Sequence, residues 1–141
     1  MLVDANVLLY AVDETSLFHA KARRWLEDAL NGPQRVGLAW PSIWAFLRIG
    51  TNARALTHPL TASQAWDLVD RWLAAPAAWI PEPGPRHREI LHRLVVPGDL
   101  RGNLVSDAVL AAICLEHGLA IVSADSDFAR FEDLRWINPV A

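Results

Sequence analysis

Lysine is nearly missing from this chain: twelve of its thirteen basic residues are arginine, and Lys21 is the one exception. Sixteen acids outweigh those bases and the net charge is −3, so a general electrostatic attraction to nucleic acid is not a bulk property of the molecule. Arginine suits bidentate phosphate contact, but a genome rich in G and C favours it equally well. Cysteine is as scarce. Cys114 stands alone on an apolar stretch, which excludes an internal disulfide and reads most simply as a core residue. Although 52% of the residues are hydrophobic, no run is long enough to span a bilayer. Met1-Leu2-Val3-Asp4 carries no basic leader and no cleavage site, so the expectation is a soluble protein of the cytoplasm without a membrane partner. Repeats and low-complexity tracts are absent, and no acid occurs from residue 29 to residue 66.

What is present alternates between two kinds of segment. Short strands are expected at 1–4, 35–39, 79–80, 119–123 and 135–137, and helices between them at about 6–12, 16–30, 41–51, 61–75, 85–96 and 105–115. Several boundaries have a chemical cause. Ser16 can cap the second helix, in which Phe18, Ala22, Trp25, Leu26 and Ala29 form an apolar stripe; Thr61 and Gln64 make a capping box; Gly32 and Gly118 are helix stops; Pro97-Gly98 is a turn. Strands separated by helices argue a single α/β domain over 1–141, with a small, mainly parallel central sheet covered by helices in three layers. At this length about 70% of the unfolded surface can be buried.

Four aspartates adjoin the most apolar segments. Asp4 ends the first strand, Asp107 lies in the first turn of the alanine-rich helix, and Asp125 and Asp127 follow the strand that ends at Ser123. Each has an ordinary explanation: Asp4 caps a helix, Asp107 offsets a helix dipole, Asp125 and Asp127 cap a turn before Phe128. Taken together, two strands and a helix that all present carboxylates describe one rim, at the carboxyl edge of a parallel sheet. Gathered carboxylates repel unless a proton or a divalent cation relieves them, which points to magnesium or manganese. Phe128 and Phe131 then read as anchors for the loop that carries the last two acids. Covalent catalysis has less support, because Ser123 has no adjacent histidine and the five histidines fall on charged helix faces or near turns. A phosphoaspartyl enzyme is disfavoured too: position 6 is Asn where a D-x-D pair needs an acid, and Lys21 lies on a charged helix face.

Three stretches, Met1-Leu2-Val3-Asp4-Ala5-Asn6-Val7-Leu8, Asn103-Leu104-Val105-Ser106-Asp107-Ala108 and Val122-Ser123-Ala124-Asp125-Ser126-Asp127-Phe128, resemble the motifs of the PIN domain in that family's order. Trp44-Ala45-Phe46-Leu47-Arg48-Ile49-Gly50-Thr51-Asn52 and Glu116-His117-Gly118 resemble its VapC-type toxin branch, and the similarity covers essentially the whole chain. The resemblance implies a magnesium-dependent ribonuclease, the toxin of a toxin–antitoxin pair, held in check by a small cognate antitoxin. It implies Asp4 and Asp107 as metal ligands, with Asp125 and Asp127 completing the catalytic cluster and Asn6, Asn103 and Ser123 as polar residues of the pocket. One departure stands out. Where the family places a glutamate on the helix after the second strand, this chain has Phe46, expected to pack inward near the acidic pocket; either fewer ligands hold the metal, or Asp127 or Glu89 compensates. That departure supports a rival reading, a catalytically weak PIN-like protein-binding module.

Seven tryptophans complete the picture. Trp25 and Trp72 fit apolar helix stripes, whereas Trp40, Trp44 and Trp66 are hard to bury together and favour contact with a partner protein over base stacking. The resemblance implies a homodimer, with an antitoxin segment in a groove beside the site.

Overall fold

The computed structural model describes residues 1–141. Five two-residue strands, β1 (Leu2–Val3), β2 (Val36–Gly37), β3 (Ala78–Trp79), β4 (Ile121–Val122) and β5 (Trp136–Ile137), form one sheet in the order β3-β2-β1-β4-β5. Each neighbouring pair is parallel. Six helices connect and cover them: α1 (Ala5–Val12), α2 (His19–Leu30), α3 (Trp40–Gly50), α4 (Ala62–Leu73), α5 (His87–Val95) and α6 (Asn103–His117). A short 3-10 helix, Ser126–Arg130, follows β4.

Alternation along the two central strands assigns the two faces. Leu2 and Ile121 point to one side with Ala108, Ala111, Ile113 and Cys114 of α6, and Phe128, Phe131 and Leu134 close that layer. Val3 and Val122 point to the other, where they meet Val7 and Leu8 of α1, Leu26 of α2, Ile43 and Phe46 of α3, and Val69 and Trp72 of α4. Opposed side chains on successive residues follow from the period of two in a strand. The result is the α/β, three-layer arrangement expected from the alternation of segments.

Local chemistry accounts for most helix ends. Thr61 and Gln64 form the reciprocal capping box at α4, at 3.1 and 2.9 Å, and Gly118 ends α6 in the left-handed conformation, φ 69°. Three expectations are corrected. Ser16 does not cap α2: its Oγ takes the Phe18 N–H at 3.1 Å, a local turn wins, and the helix starts at His19 with Phe18 40% exposed. Four of the five expected β strands shrink to two residues, because the flanking residues turn into helices or loops, and the one expected at 79–80 lies at Ala78–Trp79. Helix α6 starts at Asn103, two residues before the expected start, so Asp107 lies in its second turn, beyond the terminal amides that a dipole-offsetting acid would face.

A clasp on the far side of α6 was not visible in the sequence. Glu116 Oε1 and Oε2 accept from the main-chain N–H groups of Gly84 and Arg86, at 2.8 and 2.9 Å, and His117 Nε2 lies 2.7 Å from the Glu82 carbonyl oxygen. The two main-chain bonds lower the Glu116 carboxyl below its ordinary value, chiefly through the Gly84 N–H. A Cβ at position 84 would overlap the Glu116 carboxylate, so a side chain there would push the carboxylate off its main-chain donors.

Candidate functional site

The strand order reverses direction at β1: β2 and β3 lie on one side of it, and β4 and β5 on the other. A crevice opens at the carboxyl ends of strands at such a reversal, and it is there that open α/β sheets bind ligands. Asp4 leaves β1 and Ser123 leaves β4 at that point, with Asp4 N–H bonded to the Val122 carbonyl oxygen at 2.9 Å.

Ser123 is the hub of the crevice. Fully buried, its Oγ donates to Asp4 Oδ2 at 2.7 Å and accepts from Asn6 Nδ2 and from the Asp125 N–H, each at 3.0 Å. One donor and two acceptors exhaust a hydroxyl. Its hydrogen is committed to Asp4, which argues against a serine nucleophile and makes Ser123 a tie between the two strand ends. Asn6 completes the tie by accepting from the Ala124 N–H through Oδ1 at 3.3 Å.

Both oxygens of Asp4 are engaged, since Oδ1 takes the Ala5 N–H at 2.7 Å as the cap of α1. The capping explanation therefore holds at this residue, which also stands at the rim where the acids gather. Burial raises the Asp4 carboxyl above its usual value, with the Asp125 charge adding to it, while the bonds from Ser123 and Ala5 oppose the shift. Asp125 likewise caps the 3-10 helix, its Oδ1 accepting the Asp127 N–H at 2.9 Å, and leaves Oδ2 without a protein partner. The anchors expected for this loop are in place: Phe128 is fully buried and Phe131 nearly so, their rings 6.2 Å apart.

Asp107 reaches the same crevice from α6. One oxygen each from Asp107, Asp125 and Asp127 lie within 4.8 Å of one another. No protein donor bonds to Asp107, and its carboxyl is pushed up to about 6, first by burial and then by the charges of Asp125, Asp4 and Asp127, with Arg130 opposing. The donor set fits a hard divalent cation. Ligands of octahedral magnesium stand about 3.0 Å apart when adjacent and about 4.2 Å when opposite, so the triad would close on an ion by drawing its carboxylates inward. Asp4, tied to Ser123, stands beside the triad and contributes to its field. Asn103 is exposed at the first position of α6, one turn before Asp107 on the same face.

The helix after β2 supplies no acid. Phe46 packs inward as expected, yet its ring meets Trp72 of α4 edge-on at 4.9 Å, and the side chains around it are apolar. Glu89 does not compensate: on α5 it pairs with Arg93 at 3.5 Å with most of its side chain exposed. Arg130, which sequence reasoning passed over, lies against Asp127 at the rim of the cluster. Its signal was its position three residues after Asp127, within the turn that follows β4.

The PIN domain family matches residues 1–134. Among curated proteins the chain is similar to Ribonuclease VapC37 of Mycobacterium tuberculosis, at 49% identity over 140 residues that cover 99% of this chain and 97% of that protein. It is also similar to Ribonuclease VapC33 of the same organism, at 40% identity over 140 residues, with 99% and 98% covered. Among solved structures the fold is similar to a chain of VapBC2 from Rickettsia felis, bound to a DNA fragment from its promoter, with a TM-score of 0.70 at 17% identity and 97% and 96% covered. Mycobacterium tuberculosis VapC20, described as a sarcin-ricin loop cleaving toxin, superposes with a TM-score of 0.68 at 17% identity, covering 93% of this chain and 94% of that one. At these identities the superpositions speak for the fold.

Proposed function

The chain belongs to the PIN domain family, and from that premise we propose that it is a divalent-metal-dependent endoribonuclease, the toxin of a toxin–antitoxin pair. The observation that carries the reading is the carboxylate triad at the sheet reversal, in which Asp107 has no protein partner to stabilise its charge. Curated relatives named ribonucleases at 40 and 49% identity over nearly the whole chain support the substrate class.

Asp107 and Asp4 would hold the metal, Asp4 through the lone pairs that its two hydrogen bonds leave free, with Asp125 and Asp127 completing the cluster around it. Magnesium, or manganese in its place, would supply Lewis acidity there, which polarises a phosphoryl oxygen and lowers the pKa of an attacking water. Oδ2 of Asp125, or a carboxylate oxygen of Asp127, orients that water and accepts its proton as the water oxygen bonds to phosphorus. The opposite P–O bond breaks, and the leaving oxygen takes a proton from solvent. Ser123 and Asn6 touch no substrate in this scheme: they keep Asp4 and the 124–127 loop in register. Asn103 stands at the mouth of the crevice, placed to meet the RNA.

The partners are RNA, a second copy of the chain and a cognate antitoxin. Trp44, 62% exposed and stacked on Trp40, and Trp66, 46% exposed, are suited to protein contact. A groove of about 590 Å³ between α1, α2 and α4, with Leu26, Leu30, Leu68 and Trp72 on its floor, suits the antitoxin segment. No helix is long and apolar enough to cross a membrane, and the cytoplasm is where such an enzyme meets RNA.

The absent acid on α3 favours one rival, a binding module with little catalytic power. One experiment separates the two. Purified protein should cleave structured RNA with magnesium or manganese and lose cleavage in chelator or on Asp4→Asn or Asp107→Asn substitution. Full activity in chelator would overturn the metal mechanism, and tight antitoxin binding without cleavage under any metal would leave the binding module.

A further inference from the structure

We propose that Arg130 is the substrate's phosphate anchor, a guanidinium that grips the RNA backbone beside the acidic cluster and orients the scissile phosphodiester there; this rests on the ribonuclease reading above. The need is electrostatic. Four carboxylates and one divalent cation leave the crevice negative, and an RNA phosphate approaching it is repelled unless a fixed positive charge stands at the rim.

Arg130 is built for that place. The 3-10 helix that carries it opens on the Asp125 cap and closes with the Phe131 N–H bonded to the Phe128 carbonyl oxygen at 3.3 Å, over the fully buried Phe128 ring. Its Nε donates to the Asp127 main-chain oxygen at 3.3 Å. Nη2 lies 4.0 Å from Asp127 Oδ1, too far for a hydrogen bond. A guanidinium has five N–H donors; here only the one on Nε is bonded, and the two Nη groups, four N–H in all, stay free on a side chain that is 40% exposed.

Other arginines are differently placed. Arg23 and Arg93 pair with Glu27 and Glu89 one turn away on their own helices, Arg101 closes on Asp99 at 2.7 Å, and Arg35 lies over the Trp79 ring at 3.8 Å. If Arg130 were only a counter-ion for Asp127, a closed pair would be the expected geometry. It is instead tethered at Nε to a main-chain oxygen, with both Nη groups left without a hydrogen-bond partner, and a guanidinium fork matches two oxygens of a phosphate.

The test uses the full-length protein and a fluorescently labelled RNA hairpin. Anisotropy titrations with calcium in place of magnesium, over a range of salt, are run for wild type, Arg130→Gln and Arg130→Lys, alongside steady-state cleavage with magnesium and calcium-binding titrations without RNA. The proposal expects Arg130→Gln to weaken RNA binding and raise KM by roughly tenfold to a hundredfold, as for a charge-assisted hydrogen bond, and to flatten the salt dependence by about one phosphate contact. Arg130→Lys should keep the salt slope and recover part of the affinity. Equal RNA affinity and salt slope in wild type and Arg130→Gln, or a change in calcium affinity alone, would overturn the assignment and leave the ribonuclease reading intact. Failure of wild type itself to bind or cut RNA would overturn both.

Discussion

Asp107 carries a charge that the folded protein tolerates poorly. Its carboxyl is pushed up to about 6 from an ordinary value of 3.8, so the folded state holds the proton more tightly than the unfolded chain does. In chelator, stability should fall as the pH rises from about 4 through 6, and the loss should be complete above that. Asp107→Asn should melt together with wild type near pH 4 and above it at pH 7 to 8, which thermal scans across that range can check. The reverse order at neutral pH would mean that the cluster is not under repulsion. Ser123 makes the complementary case, since its hydroxyl satisfies Asp4, Asn6 and the Asp125 N–H together. Ser123→Ala should cost about 2 kcal/mol or more in chemical denaturation, because partners stranded in a buried crevice lose the bond without regaining full hydration.

Among the elements, α3 tests where the missing acid does not belong. Phe46 is fully buried against Trp72, so Phe46→Glu is expected to destabilise the fold by at least about 3 kcal/mol rather than to tighten manganese binding. Denaturant titration and metal-binding calorimetry on the same variant decide between those outcomes. The Glu116 clasp gives a second test: Glu116→Gln should lower the melting temperature and speed hydrogen exchange at the Gly84 and Arg86 amides, with α1 and α2 unaffected. The contrast between the two elements shows what was legible beforehand. Local chemistry could be read along the chain, as at the Thr61–Gln64 box and at Gly118, and so could carboxylates placed after apolar strands. Bonds between distant residues could not. Nothing near Glu116 in sequence announces Gly84, and the spacing of Ile43, Phe46 and Leu47 says that Phe46 points inward without saying that α4 supplies its neighbour. Ser16 misled because a short polar side chain can close a turn as readily as it caps a helix.

For the whole molecule, the site is the seam that joins the two halves of the sheet, so an ion bound there should stabilise everything at once. At a hundredfold excess over its dissociation constant a ligand of the folded state adds roughly 2.7 kcal/mol; magnesium or manganese should therefore raise the wild-type melting temperature, and Asp107→Asn should lose most of that increment. An equal shift in both proteins would place the ion elsewhere. The same seam has a consequence in time. Asp4 is synthesised well before Ser123, Asp125 and Asp127, and β4 is the strand that completes the pairing of β1. A chain still being synthesised, or abandoned before β4, holds Asp4 without its tie and Asp107 without the loop it faces. If the protein cuts RNA as proposed, chains that stop short of β4 and the 124–127 loop should be harmless to the machinery that makes them, and cutting should begin only once that loop is in place.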